Sequence, residues 1–174
     1  GRCGKTSFAL TLAQMLGKKQ AVLFISMEEY SGFSKLVCNG YEQDLSDVFY
    51  LYQRGDFNWL RLKSMILSNG NVDYIPPVSY GEDLDQVTPE EITGLLKKIA
   101  AESGYERIIV DIGHMGKGAL SLFEACDVIY MPVLEDRVSA AKLEDFEDYL
   151  KEADDRGIRQ KIQKLRLPAG RRTV

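Results

Sequence analysis

Gly1-Arg2-Cys3-Gly4-Lys5-Thr6-Ser7-Phe8-Ala9 is the stretch whose reading decides the fold. Its first six residues match the last six positions of the pattern G-x-x-x-x-G-K-[ST], and the pattern's first two positions would precede Gly1. The chemistry of such a loop needs glycine where backbone N–H groups curl around phosphate oxygens. It also needs a lysine that reaches the β and γ phosphates, a hydroxyl for Mg²⁺, and a helix N-terminus aimed at the charge. Gly4, Lys5, Thr6 and a helix starting near Ser7 supply all four. Gly-Lys-Thr is also a common tripeptide at helix starts, so the rest of the chain has to carry the decision.

Outward from the loop, Phe8, Leu12, Met15 and Leu16 fall at helical spacing and stop at Gly17. Ala21-Val22-Leu23-Phe24-Ile25 is a continuous apolar run, the pattern of a strand buried on both faces of a parallel sheet. Leu45, Val48, Phe49 and Tyr52 predict one helix, and Trp59, Leu60, Leu62, Met65 and Ile66 a second. Val72-Asp73-Tyr74-Ile75 reads as a strand ended by Pro76-Pro77, with a long loop to Thr88. Thr88-Pro89-Glu90-Glu91 is a capping box with proline at the first helical position, and Ile92, Leu95, Leu96 and Ile99 form the buried stripe of its helix. Arg107–Asp111 and Val128–Val133 predict two more strands, separated by a helical stripe at Leu120 and Phe123. Leu143, Phe146, Leu150 and Ala153 predict an amphipathic helix over 139–153. Strand and helix alternate throughout, which implies an α/β fold: a three-layer sandwich around a mostly parallel sheet, in one domain over 1–174. The strand leading into the phosphate loop, and a further domain, are expected upstream of Gly1.

The second acidic element is Asp111, at the end of Ile108-Ile109-Val110 and followed by Ile112-Gly113-His114-Met115-Gly116. An aspartate so placed behind a phosphate loop holds the Mg²⁺ shell, and the loop after it senses the γ-phosphate. Alone, such a residue reads as a turn cap. Together with the loop, in this order, the pair points to nucleotide binding.

Composition narrows the classes. The 174 residues are 45% hydrophobic and 28% charged with a formal charge of −4, which excludes a nucleic-acid surface spread over the whole protein and leaves only room for a local basic patch. Cys3, Cys38 and Cys126 are odd in number and far apart, with neither zinc spacing nor disulfide-scaffold density, so a cytoplasmic location is expected. No apolar run approaches the roughly 20 residues of a membrane-spanning helix.

These residues resemble the MinD/ParA group of P-loop ATPases, and within it the CpaE-like branch linked to pilus assembly. The resemblance rests on Gly1–Ala9, on Val22-Leu23-Phe24-Ile25 followed by Glu28-Glu29, on Tyr105-Glu106-Arg107-Ile108-Ile109-Val110-Asp111-Ile112-Gly113, and on the strand ending Tyr130-Met131-Pro132. It implies a cytoplasmic, P-loop type ATPase that dimerises face to face around two ATP molecules and recruits a protein partner. Gly1, Arg2, Cys3, Gly4, Lys5, Thr6 and Ser7 would form its phosphate loop, with Gly113 and Pro132 also at the nucleotide. Thr6 and Asp111 would serve the Mg²⁺, and Lys5, Glu28 and Asp111 the catalysis. Three departures matter. The family's signature lysine would fall just before Gly1, Arg2 stands where glycine is usual and reads as an exposed loop cation, and after the second strand Ser26-Met27-Glu28-Glu29 replaces the usual aspartates. Glu28, ahead of Glu29, is the match for the carboxylate that orients water.

His114, the one histidine, could meet the γ-phosphate, although a lone loop histidine reads first as solvated. The aromatic stretch Tyr41, Phe49, Tyr50, Tyr52, Phe57 and Trp59 lacks interleaved basic residues and is expected to pack helices onto the sheet. Residues 156–172 concentrate basic side chains around Ile158, Ile162 and Leu165, whose spacing predicts a terminal helix that docks on its own domain, an acidic membrane surface or a partner. No Asn-Lys-x-Asp element reads guanine, which favours ATP. Three functions compete: a hydrolysing switch, a non-hydrolysing regulatory module, and a small-molecule kinase, the last wanting an arginine-rich lid that the sequence does not offer.

Overall fold

A computed structural model describes residues 4–28, 32–37, 40–113, 119–134, 136–153 and 157–166. They fall into two compact units, one of Thr6–Ala119 and one that joins Gly4 and Lys5 to the segment from Leu120 onward.

The first unit is built on α1 (Lys5–Gly17) and β1 (Val22–Met27), followed by α2 (Phe33–Leu36), α3 (Leu45–Gln53), α4 (Trp59–Met65), β2 (Leu67–Asn69), β3 (Val72–Ile75), α5 (Glu82–Asp85), α6 (Pro89–Glu102) and β4 (Arg107–Ile112). The sheet order is β2-β3-β1-β4. As its apolar run predicts, β1 is the interior strand: Val22 to Ser26 are all buried, with β3 parallel on one side (Leu23↔Asp73 to Ile25↔Ile75) and β4 parallel on the other (Val22↔Arg107 to Met27↔Ile112). The antiparallel β2 was not visible in the sequence, being three residues with only one apolar side chain. Successive strand residues face opposite sides, so Val22 and Phe24 share a face, and there they pack with Ala9 and Ala13 of α1 and with Phe33, Val72 and Tyr74. Leu23 and Ile25 point the other way and are also fully buried.

Helix ends follow their chemistry. The Thr88 hydroxyl accepts from Glu91 N–H (3.2 Å) while the Glu91 carboxylate accepts from Thr88 N–H (2.7 Å), the capping box expected for α6. Asp44 caps α3 in the same reciprocal way with Asp47. The loop expected up to Thr88 contains the single-turn α5. Phe49 and Phe57 are core as expected, but Tyr50 is 55% exposed and donates nothing to the core; it accepts from Arg54 Nη1 at 2.7 Å.

The second unit holds α7 (Ala119–Ala125), β5 (Ile129–Val133), α8 (Arg137–Ala153), α9 (Ile158–Lys161) and β6 (Ile162–Arg166). Asp136 starts α8 by accepting from Ser139 N–H and Oγ–H at 2.9 and 2.6 Å. Phe123 and Phe146 pack edge to face, and Leu150 and Ile158 are buried. The expected terminal helix is corrected here: it lasts one turn, and Ile162–Arg166 is a strand parallel to β5, Ile129↔Ile162 to Val133↔Arg166. The 158, 162, 165 spacing suits a helix and a turn-plus-strand alike, and pairing with β5 after a helical crossover decides for the strand. Residues 167–174 of that reading lie outside the described residues.

Candidate functional site

Gly4 stands before α1 with φ 74°, in the left-handed region where any other residue is strained, and the helix begins at once with Lys5 and Thr6. The first N–H groups of a helix have no partner within it and carry the positive end of its dipole. α3 and α6 bring acidic residues to that end, Asp47 in one and Glu90 and Glu91 in the other, whereas the first turn of α1 contains none. It is thereby suited to an external anion.

The sheet brings a carboxylate to the same region. Ile109 packs with the cluster on the α1 side of the sheet, so Asp111, two residues on, continues that stripe. Ser26 follows Phe24 on the same face by the same rule, and Ser26 and Asp111 are register partners on adjacent parallel strands. Both are buried, at 1% and 4% exposure. A buried carboxylate needs compensation by donors or a cation. Parallel strands place such groups beyond their carboxyl ends, where ligands of open α/β sheets bind.

Glu28 and Gly113 extend the two stripes by one more step each and meet. A Cβ on Gly113 would lie 2.8 Å from Glu28 Cγ and 3.2 Å from its Cα, so only glycine lets the segments after β1 and β4 approach this closely. The Glu28 N–H donates to Ser26 Oγ at 3.4 Å. Thr6, Ser26, Glu28, Asp111 and Gly113 therefore belong to one unit, with Thr6 and Glu28 half-buried. Gly4, Lys5 and Pro132 belong to the other; Ser7 is exposed, and Pro132 is paired in register with Leu165 within β5 and β6. Gly1, Arg2, Cys3, Glu29 and His114 lie outside the described residues. Ser26 is the residue that sequence reasoning passed over, treating it only as a departure. The signal was there, a hydroxyl two residues beyond Phe24 on an otherwise apolar face.

The Thr6 hydroxyl and the Asp111 carboxylate are hard oxygen donors of the kind Mg²⁺ takes, and Mg²⁺ completes its octahedron with water and phosphate. Among the described residues no cluster of three or more His, Cys, Asp or Glu could hold a metal.

No family model matches the sequence, and no curated protein matches it significantly. Among solved structures, the ParA family ATPase from Chlorobium tepidum TLS superposes with a TM-score of 0.82 at 21% identity, over 98% of this chain and 71% of that one. The fold is that of a ParA-type ATPase. The MinC:MinD cell division protein complex of Aquifex aeolicus gives 0.70 at 17% identity over 94% of this chain and 63% of that one. The septum site-determining protein MinD of Pyrococcus horikoshii OT3, complexed with Mg-ADP, gives 0.66 at 18% over 95% and 64%. This chain thus spans less than two thirds of the length of those two MinD chains. Among the described residues no helix is long and apolar enough to cross a membrane.

Proposed function

We propose that this chain is the core of a cytoplasmic, ATP-dependent switch of the ParA/MinD family. The observation that carries the reading is the burial of Asp111 beside Ser26 on the face of β1 and β4 that meets α1, the helix that starts at Lys5 and Thr6. Lys5 and the first N–H groups of α1 would neutralise the β and γ phosphates, and Thr6 with Asp111 would hold Mg²⁺, which when bound screens the developing phosphate charge. Glu28 would orient the attacking water, and Gly113 would keep the segment after β4 close enough to sense the γ-phosphate. Pairing of two copies around ATP and recruitment of a protein partner are supported by the fold shared with MinD, which in one structure is complexed with MinC. The CpaE-like branch is supported by the sequence resemblance. A strand preceding Gly1 would find its place on the open side of β4, which is an edge strand among the described residues. A second reading, binding without turnover, is favoured by the contact of the Glu28 stem with Gly113, which restricts how far its carboxylate can swing.

Two substitutions test the proposal. Asp111→Asn is expected to weaken a fluorescent ATP analogue more with Mg²⁺ than with EDTA, because its carboxylate acts on the metal shell; equal losses would make it a structural cap. Glu28→Gln is expected to leave analogue affinity intact, cut turnover by about 100-fold or more, and trap an ATP-bound dimer in size-exclusion chromatography. Unchanged turnover in that variant, or none in the wild type, would leave the binding-only reading.

A further inference from the structure

At the amino-terminal ends of the same strands lies a second cleft, of about 300 Å³, between α4, the β2–β3 hairpin and the segment that leads into β4. That is the small end of the range for ligand sites. Its polar centre is Asp73, whose Oδ1 accepts from Ser68 Oγ–H at 2.5 Å and whose Oδ2 accepts from Tyr105 Oη–H at 2.7 Å. Each oxygen keeps a lone pair for a further donor. Burial, with the Asp73 carboxylate beside it, pushes the Tyr105 phenol well above its ordinary range, so it remains a donor. Trp59 stands edge to face on the Tyr105 ring, with centroids 5.8 Å apart, and Ile66 adds an aliphatic side to the wall. Lys63 lines the same cleft, yet among the described residues neither Lys63 nor Asp73 enters an ion pair. α6 also ends here, at Ser103 and Gly104, and a helix C-terminus favours a cation.

We propose that this cleft binds a free amino acid with an apolar or aromatic side chain. Its ammonium faces the Asp73 carboxylate, its carboxylate faces Lys63, and its side chain lies against Trp59, Tyr105 and Ile66. A carboxylate and an ammonium that line one cavity without pairing with each other are complementary to a zwitterion, and the aromatic pair supplies an apolar wall between them. The hydroxyls of Ser68 and Tyr105 hold the Asp73 carboxylate in place before the ligand arrives, which lowers the ordering cost of binding. This site is independent of the nucleotide reading, since it uses none of the residues at the carboxyl ends of the strands.

Trp59 is the one tryptophan of the chain, so its emission reports occupancy directly. Titration of the full chain with L-phenylalanine is expected to give a saturable change in that emission, and L-leucine a weaker one. N-acetyl-L-phenylalanine, which lacks the ammonium, and L-phenylalanine amide, which lacks the carboxylate, are each expected to bind at least about tenfold more weakly. Asp73→Asn and Lys63→Met should show the same loss for L-phenylalanine, Lys63→Met at an unchanged thermal midpoint. The ligand analogues keep the test valid should either variant fold poorly. Absence of a saturable change with both amino acids would overturn the proposal. So would equal affinity for the amide and the free amino acid, which would mark a site for cations alone, or equal affinity for the acetylated compound.

Discussion

The two ends of the first unit's sheet carry carboxylates that are held in opposite ways. At the carboxyl ends, helices begin: α1 with Thr6 in its first turn, and α3 behind its cap Asp44, whose carboxylate also accepts from Ser79 N–H and Oγ–H in the segment after β3. At the amino ends α6 stops, and Asp73 is held by the hydroxyls of Ser68 and Tyr105. A parallel sheet with helical crossovers sorts helix N-termini to one end and C-termini to the other. Backbone amides can therefore stabilise anions at the first end, whereas at the second the compensation has to come from side chains. The capacity to stabilise anions thus follows from chain direction, whereas the amino-end cleft is assembled residue by residue.

The contrast can be broken most severely at Lys5. Lys5→Ala is expected to lower affinity for a fluorescent Mg-ATP analogue by about 1000-fold, because an ammonium that makes charge-assisted contacts to two phosphates is removed; unchanged affinity would end the assignment of the carboxyl end to phosphate. Asp44→Ala should cost about 3 kcal/mol in urea unfolding, since a cap and the bonds to Ser46 and Ser79 are lost together. Burial pushes the Asp44 carboxyl up, but the hydrogen bonds from Ser46 and Ser79 outweigh it and hold the group below its ordinary value. Its contribution is therefore present above about pH 4 and lost as pH falls through the depressed value, so the acid limb of the stability profile should flatten in Asp44→Ala.

Gly113→Ala probes the contact between the segments after β1 and β4. The new Cβ meets Glu28 Cγ and backbone Cα, and a cost of about 2 kcal/mol in the same unfolding measurement is expected, partly recovered in the double variant with Glu28→Ala. The smallest effect belongs to the amino end, where Tyr105→Phe removes one neutral hydroxyl donor to Asp73 and should cost about 1 kcal/mol at neutral pH. Because burial and Asp73 raise the folded phenol's pKa, its stabilisation is complete below about pH 10 and is lost as pH climbs toward the raised value. Wild-type stability should thus decline more steeply above pH 10 than that of Tyr105→Phe, in which the buried Tyr74 phenol, also raised, still contributes. Acid and alkaline limbs would then map to opposite ends of one sheet.

Local signals were legible in the sequence wherever one physical cause acted alone. The apolar run at 21–25 meant an interior strand, and Thr88-Pro89-Glu90-Glu91 meant a capped helix; both stand in the structure. Asp111 could be placed because a polar residue ends an apolar strand. What failed depended on partners distant in sequence. β6 is a strand because β5 lies beside it, and nothing in the 158, 162, 165 spacing announces that. The approach of Gly113 to Glu28 spans 85 residues and is visible only once β1 and β4 are in register. The Asp73–Tyr105 pair is of the same kind: each residue alone reads as an ordinary member of a strand and of the turn that precedes another.

The sheet order also predicts how the backbone exchanges its amide protons with solvent. β1 is paired on both sides from Leu23 to Ile25, so the amides there are tied into a ladder and should exchange only through rare, large openings. β4 is bonded to β1 on one side among the described residues, and over Arg107–Val110 protection should alternate between amides that face β1 and amides that face away. A strand arriving on that open side would turn the alternating record of β4 into the uniform one of β1.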